Sequence, residues 1–521
     1  MNRDEMVTRI REHRAPFDLL VIGGGATGAG VAVDAAARGY SVLLVEQSDF
    51  GKGTSSRSTK LIHGGVRYLQ QGNISLVMEA LKERGILRLN APHLVRDLAF
   101  VVPNYDWWEA PFYGIGMRVY DLLAGKYGFG RSRLLSRRET LARIPTLRTD
   151  GLRGGVIYYD GQFDDARLLI NLVQTAVEQG AIAVNYARVF RFEKDAAGYV
   201  RGATFRDAET GREYTVHARA IVNATGPFAD EIRRMDAPDT APMIAPSQGV
   251  HLVLNRSFLP GDSAIMVPHT ADGRVMFAIP WLGHTLVGTT DTPIPECCLE
   301  PRPLDEEIDF VLETAASYLE RRPTRADVLS AFAGIRPLVK AGEGVRTAAL
   351  SREHTIHVSR SGLLTIVGGK WTTYRTMAAD CVDHAATLGE LEPAPCPTRD
   401  LRIHGYCTQA EEFGPLASYG AGAEAVSELL REGQGFAEPL HPALPIRRGE
   451  VAWAVRHEMA RTVDDFLARR TRALLVNARA AVEMAPEVAR LMARELGRNA
   501  AWEREQVAAF LAIAANYQIT A

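Results

Sequence analysis

The feature that most constrains this chain is the stretch from Phe17 to Glu46. Phe17-Asp18-Leu19-Leu20-Val21-Ile22 reads as a buried strand, and Gly23-Gly24-Gly25-Ala26-Thr27-Gly28 follows at once. Ala26 to Arg38 then has the alanine-rich, small-residue character of a close-packed helix. Gly39 ends that helix, and Ser41 to Glu46 reads as a second strand. Glycines spaced G-x-G-x-x-G between a strand and a helix let the backbone approach a pyrophosphate at a helix N-terminus. A carboxylate ending the second strand then accepts hydrogen bonds from the adenosine ribose. The unit predicts the opening of a doubly wound dinucleotide fold, with Gly23, Gly25, Thr27, Gly28 and Glu46 as cofactor contacts. The fingerprint alone suits FAD and NAD equally, and a glycine-rich turn in an unrelated α/β protein is the plainer alternative.

The rest of the chain must hold more than this unit. Single domains usually run to about 100–200 residues, so two or three domains are expected, the sequence having 521 residues. A formal net charge of −2 gives no general attraction to nucleic acid, and any anion site must be local. The five cysteines, two of them the neighbours Cys297 and Cys298, show neither an even disulfide framework nor metal-ligand spacing. No metal site is expected, and a reducing, cytosolic compartment fits. Leu19 to Val33, the longest uncharged stretch near the N-terminus, is glycine-rich and shorter than the roughly 20 apolar residues a spanning helix needs. Met1 to Arg14 is charged at nearly every other position and lacks the apolar core of a secretory signal, so no export is expected.

Two later segments read as strands returning to the first sheet: Ala220 to Asn223 before Ala224-Thr225-Gly226, and Leu363 to Val367 before Gly368-Gly369. Their separation implies an inserted domain. From Gly249 to Asp291 the pattern changes to short strands and turns, as in His251 to Leu254, Arg274 to Ile279 and Thr285 to Gly288, which suits an antiparallel sheet. A loop rich in proline and charge, Pro393 to Arg402, precedes a mostly helical region that includes Glu450 to Arg472 and a helix from Pro486 to Leu496.

The cofactor choice turns on Thr54 to Tyr68, a hydroxyl-rich loop leading into a Gly-Gly turn just after the second strand. An NAD enzyme needs nothing there. FAD continues past its pyrophosphate into a ribityl chain and an isoalloxazine ring, which hydroxyls and backbone amides suit. At these residues the sequence resembles the glycerol-3-phosphate dehydrogenase branch of the FAD-dependent, D-amino-acid-oxidase-like superfamily. The likeness covers nearly the whole chain, from Phe17 through the helical C-terminus. It rests on the run at 55–69, on Tyr159-Asp160-Gly161-Gln162 with Asp164-Asp165-Ala166-Arg167, and on Asn223-Ala224-Thr225-Gly226-Pro227. Further matches are Gly288-Thr289-Thr290-Asp291, Gly334-Ile335-Arg336-Pro337-Leu338 and Gly368-Gly369-Lys370-Trp371-Thr372-Thr373-Tyr374-Arg375. One departure is Trp371, where an aliphatic residue is also common in the family. Altered packing, without a change in chemistry, is expected there.

The resemblance implies an α/β protein: a discontinuous Rossmann-like FAD-binding domain (17–100, 150–245 and 325–390), an antiparallel-sheet substrate domain (101–149 and 246–324) and a C-terminal all-α domain (396–521). It adds Ser55, Ser56, Lys60, Leu61, His63, Gly64, Gly65, Val189, Ala224, Thr225, Gly226, Gly334, Gly369, Lys370, Trp371 and Thr372 to the FAD contacts. It implies oxidation of sn-glycerol 3-phosphate to dihydroxyacetone phosphate by hydride transfer to FAD. Electrons then pass to a membrane quinone, from a position peripheral on the cytoplasmic, inner face of the cell membrane. A homodimer is compatible with it.

Elementary chemistry agrees with these roles. Gly368-Gly369 before the helix expected from Thr372 to Ala386 places backbone N–H groups and a positive helix end toward a ligand, which favours a reduced, anionic flavin. A small phosphorylated substrate needs cations in a concave site, and arginine meets phosphate bidentately. The resemblance selects Arg67 and Arg336, with Tyr68 and Lys370 in support. A structural salt bridge is the alternative role for each arginine. Alcohol oxidation also needs a proton acceptor near the hydroxyl. His251, His63 and Lys370 are all candidates, and the sequence does not choose among them. Finally, aromatic and apolar residues at 107–117 precede an arginine-rich stretch, Arg131 to Arg148. Core packing and a solvated helix face explain each singly, while together they form a candidate membrane-facing patch. The competing activities are a glycerol-3-phosphate oxidase using O2, an amine or amino-acid oxidase on the same fold, and an FAD-bound protein without turnover.

Overall fold

The computed structural model describes residues 1–66, 69, 72–268, 270, 273–340, 354–432 and 434–519. Its first sheet is built on the predicted unit. The strand Phe17–Ile22 pairs in parallel with Val42–Val45 on one side and Glu213–Asn223 on the other. Leu363–Gly368 extends the parallel set beyond Glu213–Asn223, and Ile182–Val184 extends it beyond Val42–Val45. His354–Val358, Val200–Asp207 and Ala187–Lys194 add antiparallel pairings, giving eight strands among the described residues. The central strands are apolar and buried on both faces, as a sheet covered by helices requires. The helix Ala26–Ala37 supplies one cover, packed between Asp165–Glu178 and Tyr374–Leu388.

Two glycines make this strand-to-helix turn possible. Gly23 adopts φ +109°, and a Cβ there would lie 2.7 Å from the Ala224 carbonyl oxygen. A Cβ on Gly28 would lie 1.8 Å from the Gly23 carbonyl oxygen, so only hydrogen fits where the helix's first turn crosses the strand end.

The second sheet has ten strands among the described residues. Its two long antiparallel pairs are Ile244–Asn255 with Val328–Val339, and Val95–Asn104 with Gly154–Phe163. The expected antiparallel character needs one correction: Ser263–Val267 runs parallel to Val95–Asn104, which joins the two halves. Sheet membership also crosses the expected segment boundaries. Leu61–Ile62, Val95–Asn104, Gly154–Phe163 and Val328–Val339, all within or overlapping segments assigned to the nucleotide unit, hydrogen-bond into this sheet. The hydroxyl-rich loop at 54–60 therefore spans from the end of the first sheet to the edge of the second.

The C-terminal region carries the helices Ala423–Glu432, Arg448–His457, Ala478–Leu496 and Ala500–Ala514. The helix expected over Glu450 to Arg472 is broken. Met459 turns to φ +55°, and Asp465 accepts the N–H groups of Arg461 and Thr462, which starts a wide π turn at Asp465–Arg470. The helix expected from Pro486 instead begins at Ala478 and runs through the proline. Pro486 is exposed, so the Val482 carbonyl that loses its intrahelical donor lies toward the solvent side.

Buried charge ties this region to the first sheet. Asp49 accepts Arg469 Nε at 2.5 Å and Arg470 Nη1 at 2.7 Å, Lys52 reaches Asp464 at 2.8 Å, and Arg167 pairs with Glu458. Removing one partner of such a buried pair costs about 3–5 kcal/mol, because an uncompensated charge remains.

Candidate active site

The site lies where the two sheets meet. A cavity of about 1280 Å³ runs along the C-terminal ends of the parallel strands. Gly23, Gly25 and Thr27 line it from the first turn, Glu46 from the end of the second strand, and Thr54 and Ser55 from the hydroxyl loop. Val189, Ala224, Thr225 and Gly226 line its other side, and residues 368–371 its far end. Each of these positions has a local cause. The helix Ala26–Ala37 starts on Gly25 without a side chain of its own as cap, and Ala26 N donates instead to Ser55 Oγ at 2.9 Å. Asn223, at the end of its strand, accepts Thr225 N and Thr225 Oγ1 and so folds the Ala224-Thr225-Gly226 turn over the cavity. Glu46 accepts Gly24 N at 2.6 Å and Ser48 N at 2.9 Å. Burial pushes its carboxyl above the ordinary range, and those two donors oppose the shift.

A second cavity of about 1110 Å³ adjoins the first and shares Thr54, Pro337 and residues 368–371 with it. Leu61, His63, His251, Gly334, Arg336 and Thr372 line it. His251 is 2 % exposed, with Nε2 2.9 Å from Thr59 Oγ1 and its ring stacked on Phe332 at 5.0 Å. Its Nδ1 is buried without a hydrogen-bond partner. Burial, then the charges of Lys60 and Arg336, hold the imidazole well below its ordinary value of 6.5, so it is neutral at pH 7.

Arg336 sits at this cavity with a partner of its own. Its guanidinium meets Asp291 at 3.2 Å and donates to Gln248 O, Thr289 Oγ1 and Thr290 O. The anionic partner that its apolar flank demands is thus present within the protein. Lys370 lines both cavities at the start of the short 3-10 turn Trp371–Thr373, which leads into the helix Tyr374–Leu388 rather than one starting at Thr372. Trp371 donates Nε1 to Ser55 O at 2.8 Å and packs edge-on against Phe163 and Tyr374.

Several predicted contacts stand back from the cavities. Gly28 acts through the turn. Ser56 donates Oγ to Gly51 O, and Gly64 N donates to the Tyr120 hydroxyl. Gly65, at φ +79°, turns the backbone beside it. Lys60 is fully buried, its Nζ 2.7 Å from Asp165 and 2.8 Å from Ser56 O. Arg67 and Tyr68 lie outside the described residues. The sequence reading passed over Thr59, Asp165 and Asp291, although all three stand inside motifs it quoted. Their signal is a polar residue amid buried neighbours, which implies a partner without naming it.

The first cavity fits FAD on its own geometry: a glycine helix start, an acidic strand end and a hydroxyl loop lie in sequence along one continuous wall that ends at a second glycine turn. The comparisons agree. Residues 18–375 match the FAD dependent oxidoreductase family, and residues 364–506 match the C-terminal domain of alpha-glycerophosphate oxidase. The chain is 43% identical over 522 residues to a probable mitochondrial glycerol-3-phosphate dehydrogenase of Caenorhabditis elegans, covering 94% of this chain and 72% of that one. It is 40% identical to the mitochondrial glycerol-3-phosphate dehydrogenase of Homo sapiens, over 95% of this chain and 73% of that one. Its fold matches the crystal structure of the Bacillus halodurans glycerol-3-phosphate dehydrogenase complexed with FAD, with a TM-score of 0.81 and 33% identity over 99% of this chain and 97% of that one. The chain belongs to the FAD-dependent oxidoreductase family, in the branch that carries the alpha-glycerophosphate oxidase type of C-terminal domain.

Proposed function

We propose that this protein oxidises sn-glycerol 3-phosphate to dihydroxyacetone phosphate and delivers the electrons to a membrane quinone. The observation that carries the reading is the joining of the two cavities at residues 368–371, which puts a cation-bearing pocket directly beside the cofactor wall. The activity named for relatives that share most of this chain supports the same substrate. FAD, once bound, supplies the hydride acceptor.

The protein's own residues account for the rest. His251 takes the substrate hydroxyl proton at Nε2, the nitrogen that meets Thr59, since Nδ1 is enclosed. An imidazole held neutral is ready for that proton at pH 7, and a buried imidazolium is driven to release it again. Arg336 and Lys370 bring positive charge to the substrate phosphate. Arg67 and Tyr68 keep the phosphate-binding role given by the resemblance. Because Asp291 already orients Arg336, that side chain offers a fixed charge and needs no rearrangement to meet an anion.

Delivery to quinone requires a membrane-facing surface, and the patch expected near residue 107 has the composition for it. On the helix Glu109–Ala124 the exposed side chains Phe112, Ile115, Val119 and Leu122 recur at helical spacing, and Trp107 and Trp108 stand exposed just before it. Arg118, on the same helix, and Lys126, Arg131, Arg133, Arg137 and Arg138, in the segment that follows it, are exposed. Among the described residues no helix is long and apolar enough to cross a membrane. An exposed apolar helix face with exposed cations next to it in the chain suits attachment in the plane of an anionic interface. The test of the whole reading is anaerobic bleaching of the flavin by glycerol 3-phosphate, followed by reoxidation with a soluble quinone and, separately, with O2. Reoxidation by O2 as fast as by quinone would favour the oxidase.

A further inference from the structure

The hydroxyl that meets His251 belongs to a loop pinned by a cluster of buried hydrogen bonds, and the carboxylate at the centre of that cluster lies outside both cavities. Thr59 Oγ1 is 2.9 Å from His251 Nε2. Its two neighbours in the chain are both anchored on one carboxylate. Asp165 Oδ2 accepts Ser58 N at 3.1 Å, Ser58 Oγ at 2.7 Å and Lys60 Nζ at 2.7 Å. Its other oxygen accepts Arg472 Nη2 at 3.0 Å, from the C-terminal region, and Ala166 N at 2.8 Å. Arg472 also donates to Ser56 O at 2.6 Å, where Lys60 Nζ donates as well. Lys60 and Arg472 each hold φ +64°, a left-handed conformation that side chains rarely adopt and that only a set of opposing contacts maintains.

We propose that Thr59 is a positioning residue for the oxidation, fixing the orientation of His251, and that the buried carboxylate of Asp165 holds Thr59 in place. Thr59 meets the ring at Nε2 and so holds that nitrogen toward the cavity; for proton transfer the substrate hydroxyl replaces Thr59 as the donor to the Nε2 lone pair, with the ring's own proton on Nδ1. Phe332 stacks on the ring and fixes its plane, and Lys60 Nζ lies over the same Phe332 ring at 5.1 Å. Burial opposes the charge on Asp165, yet Lys60 and Arg472 together hold its carboxyl below the ordinary range, so the anchor stays an anion. The C-terminal region therefore takes part in shaping the site through Arg472.

This proposal rests on His251 as the proton acceptor, and the experiment separates the two. Wild type, Thr59→Val, Thr59→Ser and Asp165→Asn, each FAD-loaded, are mixed anaerobically with saturating glycerol 3-phosphate, and the bleaching rate and apparent substrate affinity are read. Thr59→Val should slow bleaching by about 10- to 100-fold, the range for a misoriented catalytic group, with affinity and FAD content changed less than about threefold. Thr59→Ser, which keeps the hydroxyl, should return the rate to near wild type. Asp165→Asn should slow bleaching in the same way while retaining FAD. Thr59→Val bleaching at the wild-type rate would overturn the proposal, as would Thr59→Ser as slow as Thr59→Val, because the hydroxyl alone would then not sustain the rate. The Thr59 pair decides the matter independently of how Asp165→Asn folds. Failure of wild type itself to bleach would instead refute the substrate reading.

Discussion

Replacing His251 with asparagine isolates the proton-accepting step. A positioned general base contributes about 10²- to 10⁴-fold, which is about 2.7–5.5 kcal/mol of barrier. The structural loss is smaller. The stacked contact with Phe332 at 5.0 Å is worth about 0.5–1.5 kcal/mol, and the hydrogen bond to Thr59, which the shorter asparagine amide does not reach, about as much again. The variant should therefore fold and hold FAD while its bleaching rate with glycerol 3-phosphate falls at least about 100-fold. The pH dependence carries a second, independent expectation. Burial first, and then Lys60 and Arg336, depress the His251 pKa well below 6.5, so the ring gains a proton only far below that pH. Wild-type bleaching should thus show no loss of activity from this group as pH falls from 8 through 6.5. The linked stability has a definite sign. Below 6.5 the unfolded chain binds the proton first, so the residue's contribution to stability declines as the solution is acidified. Stopped-flow bleaching of both proteins across pH decides the case. A His251→Asn rate within threefold of wild type would refute the role, and an acid limb at 6.5 that vanishes in the variant would refute the described environment.

Three further outcomes follow from the same geometry. Gly25→Val should purify colourless, because the new Cβ would lie 3.1 Å from Ser55 Oγ and its methyl groups would enter the cofactor wall; a variant with a full complement of FAD would remove that wall from consideration. Arg336→Ala should lower kcat/KM for glycerol 3-phosphate by about 30-fold or more, the equivalent of about 2 kcal/mol or above for a charge-assisted contact, and an unchanged value would place the phosphate elsewhere. Replacing Trp107, Phe112 and Leu122 together with serine should abolish co-sedimentation with anionic phosphatidylglycerol vesicles while leaving activity with a soluble quinone intact, and retained sedimentation would move the membrane contact to another surface.

What the sequence made legible is what short-range chemistry determines. The turn at 23–28 could be read because glycine is needed where Gly23 takes φ +109° and where Gly28 passes the Gly23 carbonyl, and both demands act within six residues. The candidates His251, Arg336 and Lys370 do gather at one cavity. Their partners were not legible. Asp291 lies 45 positions from Arg336, Asp165 lies 105 from Lys60, and Arg472 lies 307 from Asp165. Such pairings depend on how strands and helices assemble, which no local period encodes. Lys60 shows the limit most clearly. The resemblance makes it a cofactor contact, whereas burial pulls its pKa down to about 7 and its Nζ bonds to Asp165 and Ser56 O within the loop's own architecture. The broken helix at 458–464 was hidden for a similar reason, since its cause is the side chain of Asp465 taking the N–H groups that would have continued the helix.

The central claim is that the pocket holding His251 and Arg336 presents a phosphorylated secondary alcohol to the neighbouring cofactor wall. Its most direct test is an anaerobic titration of the purified wild-type protein with glycerol 3-phosphate, with glycerol and a panel of amino acids as comparisons. Complete bleaching of the flavin by about one equivalent of glycerol 3-phosphate is expected, with formation of dihydroxyacetone phosphate in the same amount and no comparable bleaching by the others. Bleaching by an amino acid with glycerol 3-phosphate inert would contradict it.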